Sequence, residues 1–130
     1  MKFAIIAALI TALPISAMAQ SPDCSEPLTQ MDMNDCASRA YVSADALLNQ
    51  VWKSAIISAN GRDEYLRDGD TPSEELLRKA QRSWIVFRDQ ACLAESTVVR
   101  GGSIQPLIQY VCLERLTLNR IEDLGFFEGP

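Results

Sequence analysis

The sequence contains no histidine, and none of its four cysteines forms a Cys-x-x-C motif. Without histidine, neither a Ser-His-Asp triad nor a Cys-His pair can form. Histidine and closely spaced cysteines are also the usual zinc ligands, so we expect no metal site and no cofactor. Gly101 and Gly102 are only a pair, whereas a phosphate-binding loop needs a longer glycine-rich pattern after a strand.

Acidic residues are frequent, but their arrangement is unlike that of a catalytic pair. A glycosidase needs two facing carboxyl groups in different environments. The acidic pairs of this sequence fall instead near predicted helix ends or in a connector, which is typical of solvated surface and of favourable charge at helix N-termini. These pairs are Asp32/Asp35, Asp63/Glu64, Asp68/Asp70, Glu74/Glu75 and Glu122/Asp123. We therefore predict that the protein is not an enzyme.

One long apolar run is present, and it lies at the N-terminus. Phe3 to Ile15 follows Lys2 and precedes Ala17-Met18-Ala19, a pattern typical of a signal peptide with its cleavage site. We predict that residues 1–19 are removed, that residues 20–130 form a single domain, and that no membrane anchor remains. Because Cys24 does not directly follow the cleavage site, we expect no lipid attachment there. The protein is then periplasmic or secreted.

The charge of the chain limits its partners. Without the signal peptide, 11 basic residues stand against 17 acidic ones, a net charge of −6. An acidic surface disfavours binding to nucleic acid and to anionic lipid. It is compatible either with solubility alone or with attraction to a basic partner.

Apolar residues recur with helical spacing in three segments, at about 29–60, 72–96 and 103–124. Thr29 with Asp32 resembles a capping box at the start of the first segment, and Asn60-Gly61 favours its end. Thr71 as N-cap, with Pro72 in the first turn, favours the start of the second. We predict an all-α fold, an antiparallel three-helix bundle, in which the second helix packs on both of its neighbours.

The four cysteines predict two disulfides, because an even number in a short secreted chain is typical of a disulfide framework. In a hairpin of the second and third helices, Cys92 lies at about the height of Cys112. Cys24 precedes the first helix and is able to fold back onto Cys36. The spacing therefore favours the pairs 24–36 and 92–112, while the alternative of 24–112 with 36–92 stays open.

Several polar side chains fall on helix stripes that should be buried. They are Tyr41, Asp45 and Asn49 on the first helix, Gln81, Trp84 and Arg88 on the second, and Arg120 on the third. An ion pair between Arg88 and Asp45 would satisfy the rule that buried charge must be paired. Gln81 and Asn49 would then supply the remaining hydrogen bonds. We interpret this set as a buried polar network that sets helix register, with a ligand pocket as the alternative.

A series of motifs along the chain is shared with a known family. The motifs are Cys24, Thr29-Gln-Met-Asp-Met-Asn-Asp-Cys36-Ala37, Tyr41, Ala44-Asp45-x-x-Leu48-Asn49, Leu77-Arg78-x-Ala80-Gln81-Arg82-x-Trp84-x-x-Phe87-Arg88-Asp89-x-x-Cys92, Gly101-Gly102-Ser103, Cys112, Thr117 and Arg120. On these residues, the sequence resembles the lysozyme inhibitor LprI-like family. The resemblance implies a small, secreted, disulfide-bonded helical domain, and it supports the pairs 24–36 and 92–112.

The resemblance also implies a partner, a lysozyme that the protein would block without a covalent bond. Lysozymes are commonly basic, and a domain with a charge of −6 would be attracted to one. A loop at Thr97 to Ser103 is the candidate contact, with Arg100, Gly101, Gly102 and Ser103 at its tip. The acidic connector from Asp63 to Asp70 is the other candidate. The competing hypothesis is an envelope interaction module that binds another protein or a glycan and does not inhibit lysozyme.

Overall fold

A computed structural model describes residues 21–128, which form three long helices and no strand. Helix α1 covers Gln30–Arg62, helix α2 covers Ser73–Ser96 and helix α3 covers Gln105–Gly125. A short 3-10 turn follows each helix. The all-α, antiparallel three-helix bundle with two disulfides is therefore confirmed. The predicted signal peptide and Gln20 lie outside the described residues.

Helix α1 begins at the predicted capping box. The Thr29 side chain accepts a hydrogen bond from the Asp32 backbone N–H, and the Asp32 carboxylate accepts one from the Thr29 N–H, each at 3.1 Å. Two backbone donors that have no partner within the helix are thereby satisfied. The acidic residue also lies in the first turn, where the helix dipole favours negative charge.

The corner between α1 and α2 differs from the sequence prediction. Helix α1 runs through Asn60 and Gly61 rather than ending there, and Gly61 does not take a left-handed conformation. Helix α2 begins after Pro72, without a cap from Thr71. The carboxylate of Asp63 caps it instead, accepting from the backbone N–H groups of Ser73 at 2.6 Å and Glu74 at 3.1 Å. The prediction was wrong because this cap comes from a residue ten positions earlier, which local spacing does not reveal.

The same corner is held by a second contact between side chains. The Asn60 amide donates to the Glu74 carboxylate at 2.7 Å, and Arg78 donates to the other oxygen of that carboxylate at 2.8 Å. The bond from Asn60, and to a smaller extent that from Arg78, lowers the pKa of Glu74. For Asp63, burial acts to raise the pKa, but the bonds from Glu74 and Ser73 outweigh it and lower the pKa. Both carboxylates therefore stabilise the corner in their ionised form.

Helix α3, not α2, is the central helix of the bundle. It contacts α1 most extensively and α2 next, whereas α1 and α2 contact each other least. The buried residues of α1 are mostly small: Ala37, Ala44, Leu48, Ala55 and Ala59. Small side chains allow two helices to approach closely, so α1 packs directly along α3. Helix α2 packs on both of its neighbours, as expected, but it is not the central helix of the bundle.

The core consists of two apolar clusters. One, toward the end of α1, contains Leu48, Ala55, Ala59, Leu77 and Leu124, with Trp52, Trp84 and Phe127 packed against it. The other contains Cys92, Cys112 and Leu113, with Tyr41, Tyr110 and Leu116 packed against it. Among the described residues, no helix is long and apolar enough to cross a membrane.

The sequence does not predict the role of the residues after α3. They form a 3-10 turn over Phe126–Glu128, and the Phe127 ring packs on the first cluster. Arg62 donates to the Phe127 carbonyl oxygen at 2.7 Å, and its guanidinium lies 5.9 Å from the ring centroid. The ends of α1 and α3 are thereby joined on the same side of the molecule as the Asp63 cap.

We expect Asp63→Asn to lower the free energy of unfolding at pH 7, because the neutral amide is a weaker acceptor for two helix N–H groups. The pKa of Asp63 is lowered in the folded state, so its contribution is complete above its unfolded pKa of about 3.9 and is lost as the pH falls through the folded pKa. Urea unfolding should show the difference between variant and wild type shrinking from pH 7 to pH 3.

Asp68→Asn is the matched control. It makes the same charge change in the same connector, and Asp68 forms no hydrogen bond or ion pair within residues 21–128. Equal losses of stability in the two variants, or a difference for Asp63→Asn that does not depend on pH, would contradict the capping role.

Candidate functional site

The polar centre of the molecule is Arg88, whose side chain is only 7% exposed. Its Nη1 atom donates to the Asp45 carboxylate of α1 at 2.9 Å and to the Thr117 hydroxyl of α3 at 3.3 Å. Its Nε atom donates to the carboxylate of Asp89, the next residue on α2, at 2.9 Å. One side chain of α2 therefore bonds to both other helices.

Two aromatic rings lie beside the same guanidinium. Its central carbon is 5.1 Å from the Trp84 ring centroid and 5.4 Å from the Tyr41 ring centroid, within cation–π range. Burial acts to lower the pKa of Arg88, but the hydrogen bonds to Asp89 and Asp45 outweigh it and raise the pKa. For Tyr41, burial is the largest influence, and it raises the pKa of the phenol. Arg88 is therefore always charged, and Tyr41 is a neutral ring beside it.

A second arginine forms a separate polar contact nearby. Arg120 of α3 donates from Nε to the Gln81 side-chain oxygen at 2.9 Å, and its guanidinium lies 5.8 Å from the Trp84 ring centroid. Burial lowers the pKa of Arg120. Gln81 therefore accepts a hydrogen bond from Arg120, whereas we expected it to bond within the Arg88–Asp45 pair. Trp84 lies between the two cations as a half-buried platform.

Asn49 is the one predicted network member that the structure leaves exposed. Its amide donates to the Asp45 backbone oxygen at 2.9 Å and lies 3.4 Å from the Asp45 carboxylate. The buried stripe of α1 passes through Ala44 and Leu48, which places Asp45 and Asn49 at its rim. Asn49 therefore supports Asp45 from the surface and does not contact Arg88.

Two residues of this centre were not predicted to contact Arg88. Thr117 is fully buried on α3, four positions after buried Leu113, and the hydroxyl on that stripe is the signal that could have identified it. Asp89 directly follows Arg88, and neighbouring residues on a helix point in different directions, so periodicity gives no signal for it. Phe87 belongs to the same sequence motif as Trp84 and Arg88, but it is 59% exposed, so not every residue of that motif faces the core.

The disulfides pair Cys24 with Cys36 and Cys92 with Cys112. This is the pairing that the sequence and the resemblance favoured over the alternative. Cys92 and Cys112 are fully buried and join α2 to α3. Cys24 is exposed, and its bond attaches the segment before α1 to the second turn of that helix. Two disulfides are typical of a protein that folds outside the reducing cytoplasm.

The predicted contact loop is an exposed turn over residues 97–104, which we call the tip. Val98 is 79% exposed, and Arg100, Gly101, Gly102 and Ser103 are all exposed. Arg100 forms no ion pair within residues 21–128, and Glu95 pairs with Arg115 instead. The tip begins five residues after Cys92, so the disulfide lies close to its base.

The tip has a defined backbone despite its exposure. Gly101 has a φ of +79°, a conformation that favours glycine, and its N–H donates to the Gln105 side chain at 2.9 Å. The Asn34 amide of α1 donates to the Ser103 carbonyl oxygen at 3.0 Å. Helix α3 begins at Gln105, without a side-chain cap. All three helices therefore hold the tip.

The described residues contain no group of three or more acidic or cysteine side chains placed to hold a metal ion. A surface depression beside the tip is open, and Leu93, Ala94, Thr97 and Arg100 help to line it. An open depression encloses little of a small molecule, whereas ligand pockets usually bury most of their ligand.

We expect Asp45→Ala to lower the free energy of unfolding by about 1–2 kcal/mol, because it removes the bond from Arg88 to α1 and leaves a buried donor without its strongest partner. Asp89→Ala should cost less than about 1 kcal/mol, because Asp89 is half exposed and lies on the same helix as Arg88. Urea unfolding of the oxidised variants measures both values. Equal losses of unfolding free energy in the two variants would contradict the expectation that the Arg88–Asp45 pair stabilises the contact between α2 and α1.

Comparisons with known proteins agree with the fold and the motifs. A curated relative from Rhizobium meliloti (strain 1021), described as uncharacterized protein R02472, is 38% identical over 114 residues, which cover 85% of this chain and 82% of the relative. No solved structure matches the chain. The sequence model of the family described as lysozyme inhibitor LprI matches residues 23–124, from just before the first cysteine to the last turn of α3. The chain therefore belongs to the lysozyme inhibitor LprI family.

Proposed function

We propose that this protein is exported to the periplasm or beyond after removal of residues 1–19, and that it binds and blocks a lysozyme without a covalent bond. Family membership supports this, because the family is described as one of lysozyme inhibitors. The two disulfides suit an environment outside the cytoplasm. The excess of acidic residues suits a basic enzyme as partner.

The observation that carries the proposal is the tip, an exposed turn whose backbone is held by all three helices. Binding costs less when the contact loop is already ordered, because less conformational freedom is lost. The hydrogen bond from Asn34 and the nearby Cys92–Cys112 disulfide supply that order. At the same time, Val98 and Arg100 remain exposed for contact with a partner.

The chemistry of the tip suits the cleft of a lysozyme. Glycosidases of this kind carry two carboxyl groups on either side of the bond that they cleave. An arginine guanidinium forms strong, paired hydrogen bonds to a carboxylate. We propose that Arg100 enters the cleft and pairs with a catalytic carboxylate, while Val98 packs on its rim. The negative charge of the remaining surface increases the rate of encounter with a basic enzyme.

We expect Arg100→Glu to weaken inhibition at least about tenfold, because it replaces an attractive charge by a repulsive one at the contact. A lysozyme activity assay with increasing amounts of the mature protein measures the effect. Circular dichroism should show unchanged helix content, since Arg100 lies outside the helices.

Arg82→Glu is the matched control, because it makes the same charge change at an exposed position of α2 away from the tip. If both variants lose inhibition equally, the tip is not the contact, because the added negative charge by itself favours encounter with a basic enzyme. If the wild-type protein leaves lysozymes of several classes fully active at high molar excess, inhibition is excluded. Binding to another envelope protein or a glycan would then take its place.

A further inference from the structure

The two disulfides of this protein lie in opposite environments. Cys92 and Cys112 are fully buried in the core. Cys24 is exposed, and Cys36 is only half-buried on the outer side of α1. A thiolate attacks a disulfide only where it reaches a sulfur atom, so access alone separates the two bonds.

A cation lies directly against the exposed bond. Arg39 Nη2 is 3.2 Å from Cys24 Sγ and 3.9 Å from Cys36 Sγ. The same nitrogen donates to the Pro22 carbonyl oxygen at 3.0 Å, which holds the guanidinium over the disulfide. A neighbouring positive charge stabilises a thiolate, and a stabilised thiolate is a better leaving group.

Two carboxylates face this group as well. Asp35 pairs with Arg39 Nε at 3.3 Å and partly offsets its charge. Asp23 is next to Cys24, but its carboxylate accepts hydrogen bonds from the backbone and hydroxyl of Ser25 at 2.9 and 2.8 Å. These hydrogen bonds lower the pKa of Asp23, and its carboxylate is thereby directed to Ser25. Arg39 is therefore the cation in direct contact with both sulfur atoms.

We propose that Cys24–Cys36 is a thiol–disulfide exchange site for small-molecule thiols, with Arg39 as the residue that stabilises the departing thiolate. The incoming thiolate attacks exposed Cys24 Sγ, the S–S bond breaks, and a mixed disulfide forms on Cys24 while Cys36 leaves as a thiolate facing Arg39. A second thiolate then attacks the small-molecule sulfur of the mixed disulfide and releases Cys24. Two thiols are oxidised to one disulfide, and the protein disulfide takes up two electrons and two protons.

Opening this bond releases the segment before α1 without dismantling the bundle. Leu28 in that segment is almost fully exposed, and the capping box of Thr29 and Asp32 lies within the helix start itself. The buried Cys92–Cys112 bond and the Arg88 contacts lie elsewhere in the fold. We therefore expect exchange at Cys24 to leave the helix content unchanged.

The test exposes the folded, oxidised protein to reduced glutathione and follows each disulfide by alkylation and peptide mass spectrometry. Cys24–Cys36 should open at least about tenfold faster than Cys92–Cys112, with glutathione found on Cys24 and an unchanged helical circular dichroism spectrum. Equal rates for the two bonds, or glutathione on Cys36 alone, would overturn the proposal.

Variants of the neighbouring charges separate the role of Arg39 from mere exposure. Arg39→Gln should slow opening about threefold, Arg39→Lys should keep most of the rate, and Asp35→Asn should raise it. Arg78→Gln is the matched control, because Arg78 forms the same i,i+4 ion pair far from both disulfides. If the Cys24–Cys36 bond opens as fast in Arg39→Gln as in the wild type, Arg39 has no part in the exchange. None of these readouts depends on lysozyme.

Discussion

The structure depends on one buried charge, the guanidinium of Arg88. A charged group removed from water is tolerated only when it is paired, and here its partners come from all three helices: Asp45 from α1, Asp89 from α2 itself and Thr117 from α3. Sliding any helix by one turn would separate Arg88 from a partner. We therefore propose that the ion pair sets the register of the bundle.

Arg88 also lies between the two apolar clusters. Tyr41 packs against one cluster and Trp84 against the other, and both rings contact the guanidinium. The inside of the bundle is thus filled by side chains that support one another. The interior side chains described above therefore contact one another, and the proposed functional sites lie at the surface.

The tip and the Cys24–Cys36 disulfide lie at the same end of the bundle. Asn34 bonds to the tip, and it lies only two residues before Cys36 of the exposed disulfide. The opposite end is closed by the Asp63 cap and by the contact of Arg62 with Phe127. One end of the molecule is therefore compact, while the other presents an ordered turn and an accessible disulfide.

The sequence by itself determined the three helices, the helical class of the fold and the pairing of Arg88 with Asp45. Apolar periodicity identifies the buried helix faces, and a charge on such a face must be paired with an opposite charge. The tertiary structure decided the remainder. It made α3 the central helix, because the alanines of α1 allow close approach, and it placed Gln81 on Arg120 and Asn49 at the surface. The Asp63 cap and the position of Arg39 on the disulfide depend on how the non-helical segments fold back onto the helices, and helical periodicity contains no signal for that.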